Sequence, residues 1–158
     1  MAKDDGVTMI VMSGDMDKVF AAFTIAIGSA AAGKETSMFF TFWGIKAIQK
    51  GNFTGKSLFG RMVGLLNRGG INRIGPSRFN FGGIGRWMFK KMMNSHNVTS
   101  LEELRQTAID LGVTLLPCET SMQVMEIKKE DLIDEAAEAC GVATMLERAF
   151  RSKATLFI

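Results

Sequence analysis

The sequence predicts a single-domain α/β sandwich with a mainly parallel central sheet and helices on both faces. Short apolar runs alternate with helical segments along the chain, and one of these runs is apolar at almost every position, as in strands that are covered on both faces. With 47% hydrophobic residues, a chain of 158 residues can form one domain with a substantial core, and a disordered chain is excluded. We expect the domain to span residues 1–158, with an irregular basic insertion at about residues 50–98.

The predicted strands are short and are bounded by turn residues or by the ends of helices. The run at 7–12 leads into a Ser-Gly turn, and the run at 36–42 is apolar on both faces. Strands joined by a helix usually pair in parallel, so these two are predicted to be neighbours in one sheet. Further strands are predicted at 113–117, at 154–158 and, as a candidate, at 139–142.

The predicted helices carry recognisable start and stop signals. Asp15 or Asp17 can cap the helix after the first strand, and Gly33 can end it. Ser100 and Glu103 have the spacing of a capping box at the start of the helix after the insertion. Other helical segments are predicted at 43–49, 58–67, 84–93, 119–127 and 143–152.

Charge is distributed unevenly along the chain, although the net charge is only +3. From Thr36 to Leu101 there is no Asp or Glu, while this stretch contains ten of the 19 Lys and Arg residues. Such a field attracts an anionic small molecule, an acidic partner, nucleic acid or a lipid surface. It is equally consistent with attraction between identical subunits or with a solvated face. We expect no nucleic acid partner.

The insertion at 50–98 contains ten of the 17 glycines and has no clean periodicity. Its second predicted helix places Ile84, Trp87, Met88 and Met92 at helical spacing among basic residues. A helix of this kind packs on its own core, on a sister subunit or on a membrane surface. Methionine-rich surfaces suit adaptable interfaces, so we predict a homo-oligomer and keep a membrane surface as an alternative.

Several classes of protein are excluded or disfavoured by composition. No apolar run is long enough to span a bilayer, the first residues are polar, and two cysteines do not form a disulfide scaffold. We therefore expect a cytoplasmic protein. The chain has no Cys-x-x-Cys or His/Cys cluster, so neither a metal nor another cofactor is predicted. The one histidine, His96, lies in a polar run and is expected on a surface loop.

Cys118 is the main candidate for chemistry, because it lies where a buried strand is predicted to end and a helix to begin. Backbone amides at a helix start favour the thiolate, which is the nucleophilic form of cysteine. The alternative is a buried cysteine that acts as a small hydrophobe. Cys140, next to Gly141, is expected in the core. The turn formed by Ser13 and Gly14 is a candidate wall of the Cys118 site.

Four blocks of the sequence resemble the DsrE/DsrF/DsrH-like family, in its branch of DsrE-type sulfurtransferases that are also labelled peroxiredoxin-like. The blocks are Ser-Gly-Asp-Met-Asp-Lys at 13–18, Phe-Phe-Thr-Phe-Trp-Gly at 39–44, Cys-Glu-Thr-Ser-Met at 118–122 and Gly-Val-Ala-Thr at 141–144. The resemblance implies a compact, commonly oligomeric α/β sandwich that carries sulfur as a persulfide on Cys118. Pro117 and Glu119 depart from the residue types expected beside that cysteine.

The leading hypothesis is a sulfur carrier or sulfurtransferase that holds sulfane sulfur on Cys118 and relays it between donor and acceptor partners. Ser13, Gly14, Ser121 and Met122 are the expected binding residues. One alternative is a thiol peroxidase, for which Thr114, on the same strand, is a poor match. The other is a non-catalytic oligomeric module that docks an acidic or membrane partner.

Overall fold

A central parallel sheet organises the structure, a computed structural model that describes residues 5–158. Within these residues the sheet has four strands in the order β3-β2-β1-β4, and every pairing between neighbours is parallel. The strands are β1 (Gly6–Val11), β2 (Thr36–Phe40), β3 (Thr114–Pro117) and β4 (Ser152–Phe157). The prediction that the first two strands are parallel neighbours is confirmed.

Helices connect the strands and make up most of the insertion. The α-helices are α1 (Met16–Ala31), α2 (Leu58–Leu66), α3 (Ile84–Ser95), α4 (Leu101–Asp110), α5 (Glu119–Val124) and α6 (Val142–Phe150). Short 3-10 helices occupy Phe42–Ile48, Ile71–Arg73, Phe81–Gly83 and Lys129–Asp131. No helix within residues 5–158 has the length and apolar character needed to cross a membrane.

The predicted start and stop signals of two helices act as expected. Gly33 follows α1 with a φ of 73°, a left-handed conformation that glycine adopts without a steric penalty. Ser100 and Glu103 form the predicted capping box at the start of α4, each side chain binding the other residue's amide. Asp15 occupies the N-cap position of α1, but its side chain makes no capping hydrogen bond.

Alternation of side chains along the strands divides the core into two clusters, one on each face of the sheet. Phe40 of β2 lies in the larger cluster with residues of α1 and α4, whereas the adjacent Phe39 lies in the smaller one. Met145 of α6 packs in the smaller cluster with Phe39 and Leu116. The predicted α/β sandwich with helices on both faces is therefore confirmed.

Several predicted elements have different bounds in the structure, and one is not a strand. The second strand ends at Phe40 rather than at residue 42, because Phe42 has a φ of 43° and begins a 3-10 helix. The helix after Cys118 ends at Val124 rather than at 127. The candidate strand at 139–142 is wrong: only Cys140 pairs, in one bridge, because the next residue is already the N-cap of α6.

A row of hydroxyl side chains crosses the sheet near the amino ends of the strands. The Thr8 hydroxyl is hydrogen-bonded to Ser37 Oγ at 3.0 Å and to Ser152 Oγ at 2.8 Å, so it joins β1 to both of its neighbours. Thr114 of β3 pairs with Ser37 in the next position of the row. Thr8 and Ser37 are buried, and their hydroxyl groups satisfy one another within the sheet.

The insertion is joined to the rest of the domain at the start of α2. The Ser57 side chain caps this helix, and the Glu126 carboxylate accepts hydrogen bonds from the amides of Lys56 and Ser57. Large apolar side chains of the insertion nevertheless lie exposed. Among them are Phe53, Leu58, Phe59, Leu66, Phe79, Phe81, Ile84 and Trp87.

Candidate functional site

Cys118 lies at the carboxyl edge of the sheet, directly after β3, and is the N-cap residue of α5. Its amide donates a 2.9 Å hydrogen bond to the carbonyl oxygen of Phe40, which continues the pairing of β3 with β2 by one residue. Because Phe40 is in register with Pro117, the next residues along the two strands, Thr41 and Cys118, lie side by side. The thiol-bearing residue is 8% exposed.

Two hydroxyl groups stand next to the thiol. Thr41 Oγ1 and Ser121 Oγ are 2.9 Å apart, and the amide of Phe42 donates to Ser121 Oγ at 3.0 Å. Ser121 is buried in the first turn of α5, so the hydroxyl is held in place by both neighbouring groups. This anchoring also supports the left-handed backbone of Phe42, which is an unfavourable conformation for a residue with a side chain.

The pKa of the Cys118 thiol lies below its ordinary value as the result of opposing effects. Burial is the largest influence and raises the pKa, because it disfavours the charged thiolate. Hydrogen bonds from the Ser121 side chain and amide, from the Thr41 side chain and from the Thr120 amide together outweigh burial. Within residues 5–158, the principal groups that favour the thiolate are therefore neutral hydrogen-bond donors rather than Lys or Arg.

The two hydroxyls cannot both donate to the sulfur while they are bonded to one another. Ser121 Oγ already accepts from the Phe42 amide, and it accepts a second bond when Thr41 donates to it. In that arrangement the Ser121 proton is directed to Cys118, and Thr41 strengthens this donor by polarising it. The reverse arrangement makes Thr41 the direct donor, so the pair supplies one hydroxyl proton to the thiolate at a time.

The other residues predicted for the site are Met122, which follows Cys118 on α5, and the turn at Ser13 and Gly14, which follows β1. Met122 touches Cys118 through its backbone, donating to the Cys118 carbonyl oxygen at 3.0 Å, while its side chain belongs to the larger core cluster. The turn at Ser13 and Gly14 lies at the same edge of the sheet but follows β1, with β2 in between. The Ser13 hydroxyl donates to the Asp15 carboxylate at 2.9 Å.

Glycine is required where the turn after β1 meets the turn after β2. A Cβ atom on Gly14 would lie 2.5 Å from the carbonyl oxygen of Trp43, and one on Gly44 would overlap the carbonyl oxygen of Val11. The Gly44 amide donates to the Met12 carbonyl oxygen at 2.9 Å. This close contact of two backbones holds the segment after Thr41 and so supports one wall of the thiol site.

Cys140 was expected in the core because its neighbours are apolar, but it is only half-buried. It pairs with Cys118 on the side opposite to Thr41. Burial raises the pKa of its thiol; Arg148 opposes this, and the charges of Cys118 and Glu119 add to it. Glu119 therefore acts on Cys140 and is not among the principal influences on Cys118.

Sequence reasoning missed Thr41, the Thr120 amide and the position of Cys140. A signal for Thr41 was present, since it follows the second predicted strand as Cys118 follows the third, and the carboxyl ends of parallel strands share one edge. His96 is exposed at the end of α3. In the part of the chain that the structure describes, no group of three His, Cys, Asp or Glu side chains could hold a metal ion.

The fold and the site define an α/β protein with an activated thiol at the carboxyl edge of a parallel sheet. The chain belongs to the DsrE/DsrF/DrsH-like family, whose model matches residues 3–157. This assignment confirms the resemblance noted in the sequence.

Two curated relatives match nearly the whole chain. An uncharacterized protein of Bacillus subtilis, YrkE, is 37% identical over 153 residues, covering 96% of this chain and 95% of its own. The sulfur carrier protein DsrE2 of Allochromatium vinosum is 28% identical over 154 residues, covering 95% of this chain and 96% of its own. Among solved structures, the ychN protein of E. coli has the same fold, with a TM-score of 0.61 at 10% identity over 98% of this chain and 99% of its own.

Proposed function

We propose that this protein is a sulfur carrier that holds one sulfane sulfur as a persulfide on Cys118 and relays it to a partner. The observation that carries the proposal is the group of donors around Cys118, which lowers the pKa of a mostly buried thiol. Membership of the family, together with the relative named as a sulfur carrier, supports the same function.

The chemistry requires Cys118 to act first as a nucleophile and then as a leaving group. In loading, the Cys118 thiolate attacks the outer sulfur of a donor persulfide, the S–S bond of the donor breaks, and the donor leaves as a thiolate. In unloading, an acceptor thiolate attacks the outer sulfur on Cys118, and Cys118 leaves as a thiolate. Sulfur exchange is faster when the leaving thiol has a low pKa, so the Ser121 and Thr41 donors assist the second step.

The restricted exposure of Cys118 determines which donors can reach it. At 8% exposure, the residue offers a small opening to solvent. An added sulfur atom extends about 2 Å beyond the Cys118 sulfur, since this is the length of an S–S bond. A small persulfide or a protruding partner cysteine meets this requirement.

The experiment is sulfur loading followed by intact-mass measurement. Incubated with glutathione persulfide, polysulfide or thiosulfate, the protein is expected to gain the mass of one sulfur atom, which a reductant then removes. Cys118→Ser should fold normally and gain nothing, whereas Cys140→Ser, the matched control, should still load. If all three donors leave the wild type unmodified while an alkylating reagent does reach Cys118, the sulfur-carrier proposal is wrong. Consumption of hydrogen peroxide without sulfur loading would support the thiol peroxidase instead.

A second proposal concerns assembly, because the insertion leaves apolar side chains uncovered. Leu58 and Leu66 of α2 are 81% and 79% exposed, and the surrounding segment contains no acidic residue. Large exposed apolar patches mark interaction surfaces. We propose that the insertion packs against a second copy of the chain in a homo-oligomer.

Light scattering tests this second proposal. The wild type is expected to be oligomeric at micromolar concentration, and a Leu58→Gln/Leu66→Gln double variant is expected to dissociate. Phe150→Gln is the control, since Phe150 is 80% exposed on α6, outside the insertion. A monomeric wild type that sediments with anionic vesicles would favour docking on a membrane surface. A wild type that is monomeric and does not bind vesicles would contradict both the homo-oligomer and the membrane surface.

A further inference from the structure

Cys140 is the neighbour of Cys118 on the side away from β2. The two residues form an isolated parallel bridge, in which the Cys140 amide donates to the Pro117 carbonyl oxygen at 3.0 Å. The Glu119 amide donates to the Cys140 carbonyl oxygen, also at 3.0 Å. Cys140 therefore extends the sheet by one residue beside the reactive thiol.

The bridge gives the two cysteines a geometry that suits a disulfide. Neighbouring strands lie about 4.8 Å apart, which falls inside the range of about 4.4–6.8 Å between the Cα atoms of disulfide-bonded cysteines. Paired residues of parallel strands direct their side chains to the same face: Cys118 belongs to the smaller core cluster with Phe39, Leu116 and Met145, and the half-buried Cys140 packs against that cluster. The charge of the Cys118 thiolate also acts on the Cys140 thiol.

The pKa values of the two thiols are shifted in opposite directions. Cys118 is surrounded by donors that favour its thiolate, whereas burial is the first of the effects that keep the Cys140 thiol protonated. This difference gives each cysteine a distinct task. Cys118 accepts sulfur from a donor, and Cys140 holds a proton that it can give up in a later step.

We propose that Cys140 is a resolving thiol that discharges the persulfide on Cys118 as sulfide and leaves a Cys118–Cys140 disulfide. The proposal rests on the persulfide function of Cys118. It adds a second activity, sulfane sulfur reduction, which operates when no acceptor takes the sulfur.

The step balances in atoms and electrons. The Cys140 sulfur attacks the inner sulfur of the Cys118 persulfide anion, a new S–S bond forms between the two cysteines, and the bond to the outer sulfur breaks. The proton of Cys140 passes to the departing sulfur, which leaves as HS⁻. The sulfane sulfur gains two electrons, and the two cysteine sulfurs lose one each. A small dithiol then reduces the Cys118–Cys140 disulfide to two thiols and is itself oxidised to a disulfide.

The thiol that must attack is the one with the raised pKa, so the discharge is slow near neutral pH. A raised pKa reduces the fraction of Cys140 that is present as the nucleophilic thiolate. The carrier consequently retains its sulfur long enough for transfer to a partner, and it loses sulfur to Cys140 when transfer fails.

Two measurements test the proposal, and the first does not depend on sulfur loading. The reduced protein is treated with diamide, a thiol oxidant, and is expected to form an intramolecular Cys118–Cys140 disulfide in the monomeric chain. Peptide mapping identifies the bond. If diamide yields only disulfides between chains, or no Cys118–Cys140 disulfide at all, the two cysteines do not come within bonding distance. The inference is then wrong, whether or not Cys118 can be loaded with sulfur.

The second measurement follows the loaded protein after the donor has been removed. Wild type is expected to release one sulfide per persulfide and to acquire the disulfide. Cys140→Ser should retain its sulfur at least tenfold longer, and Cys140→Ala is a second variant if serine disturbs the fold. Equal release from wild type and both variants, or a sulfur found on Cys140 itself, would overturn the inference. A wild type that forms the diamide disulfide but never loads would instead contradict the proposed function.

Discussion

Replacement of Ser121 by alanine is the most direct test of how the fold activates Cys118. The substitution removes the buried hydroxyl that is bonded to Thr41 and to the Phe42 amide and that favours the Cys118 thiolate. Loss of a donor to an anion raises the pKa of the thiol. At pH values below that pKa, a smaller fraction of Cys118 is then present as thiolate.

The magnitude follows from the strength of a hydrogen bond to a charged group, about 1.5–3 kcal/mol. Since about 1.4 kcal/mol is a factor of ten, the thiolate fraction at a fixed low pH should fall roughly 10- to 150-fold. Thr41→Val should have a smaller effect, because the Ser121 hydroxyl lowers the pKa of the Cys118 thiol more than the Thr41 hydroxyl does. Thr120→Ala is the matched control: it lies on the same helix, and the group that acts on Cys118 is its backbone amide, which the substitution retains.

The assay is the rate of iodoacetamide alkylation of Cys118 between pH 5 and 10, measured in the Cys140→Ser background so that one thiol reacts. Ser121→Ala should shift the rate profile to higher pH, whereas Thr120→Ala should follow the parent. Circular dichroism confirms that each variant is folded. A folded Ser121→Ala protein with the parent's profile would show that the hydroxyl does not stabilise the thiolate, and the account of the site would be wrong.

Three further predictions concern the frame of the site and the insertion. Gly44→Ala should lower the free energy of unfolding by about 1–3 kcal/mol in urea titrations, because the new methyl group overlaps the Val11 carbonyl; an unchanged midpoint would contradict this. Glu126→Gln should speed proteolysis within α2, and lowering the pH should do the same in the wild type. Hydrogen bonds from Ser57 and Lys56 hold the pKa of Glu126 below its ordinary value. The stability that they contribute is therefore fully present above the ordinary pKa and is lost as the pH falls through the lowered one. Identical cleavage of variant and wild type would be the opposite result. Phe40→Ala, at a fully buried position, should cost about 3–5 kcal/mol, while Phe157→Ala, at an exposed one, should cost far less, and similar midpoints would refute the assignment of the core.

Strands and helix ends were predictable because their causes are local. The second strand could be recognised because its residues are apolar on both faces, and Gly33 could be recognised because few other residues tolerate its backbone conformation. The end of that strand could not be predicted, since nothing in the local sequence requires Phe42 to adopt a positive φ. The amide of Phe42 is bound by Ser121, which lies 79 positions further along the chain.

The reactive cysteine could be predicted from the sequence, but the residues that surround it could not. Cys118 was identified from a buried run followed by a helix start, which is a pattern of neighbouring residues. Thr41 is a partner of Ser121 across 80 positions, and that contact exists only because β2 and β3 are adjacent. Cys140 pairs through a single bridge, and one residue has no periodicity from which a strand could be read.

The hydroxyl row formed by Thr8, Ser37 and Ser152 selects the correct alignment of the strands during folding. A slip of β2 along β1 by two residues keeps every side chain on its proper face, so burial of apolar groups discriminates poorly against it. Such a slip would set Thr8 opposite Phe39 or Glu35 and break its hydrogen bond to Ser37, at a cost of about 0.5–1.5 kcal/mol. Misaligned pairings of β1 with β2 are thereby disfavoured, and the correct position of β2 places Thr41 at the carboxyl edge of the sheet, where its hydroxyl meets Ser121 beside the thiol.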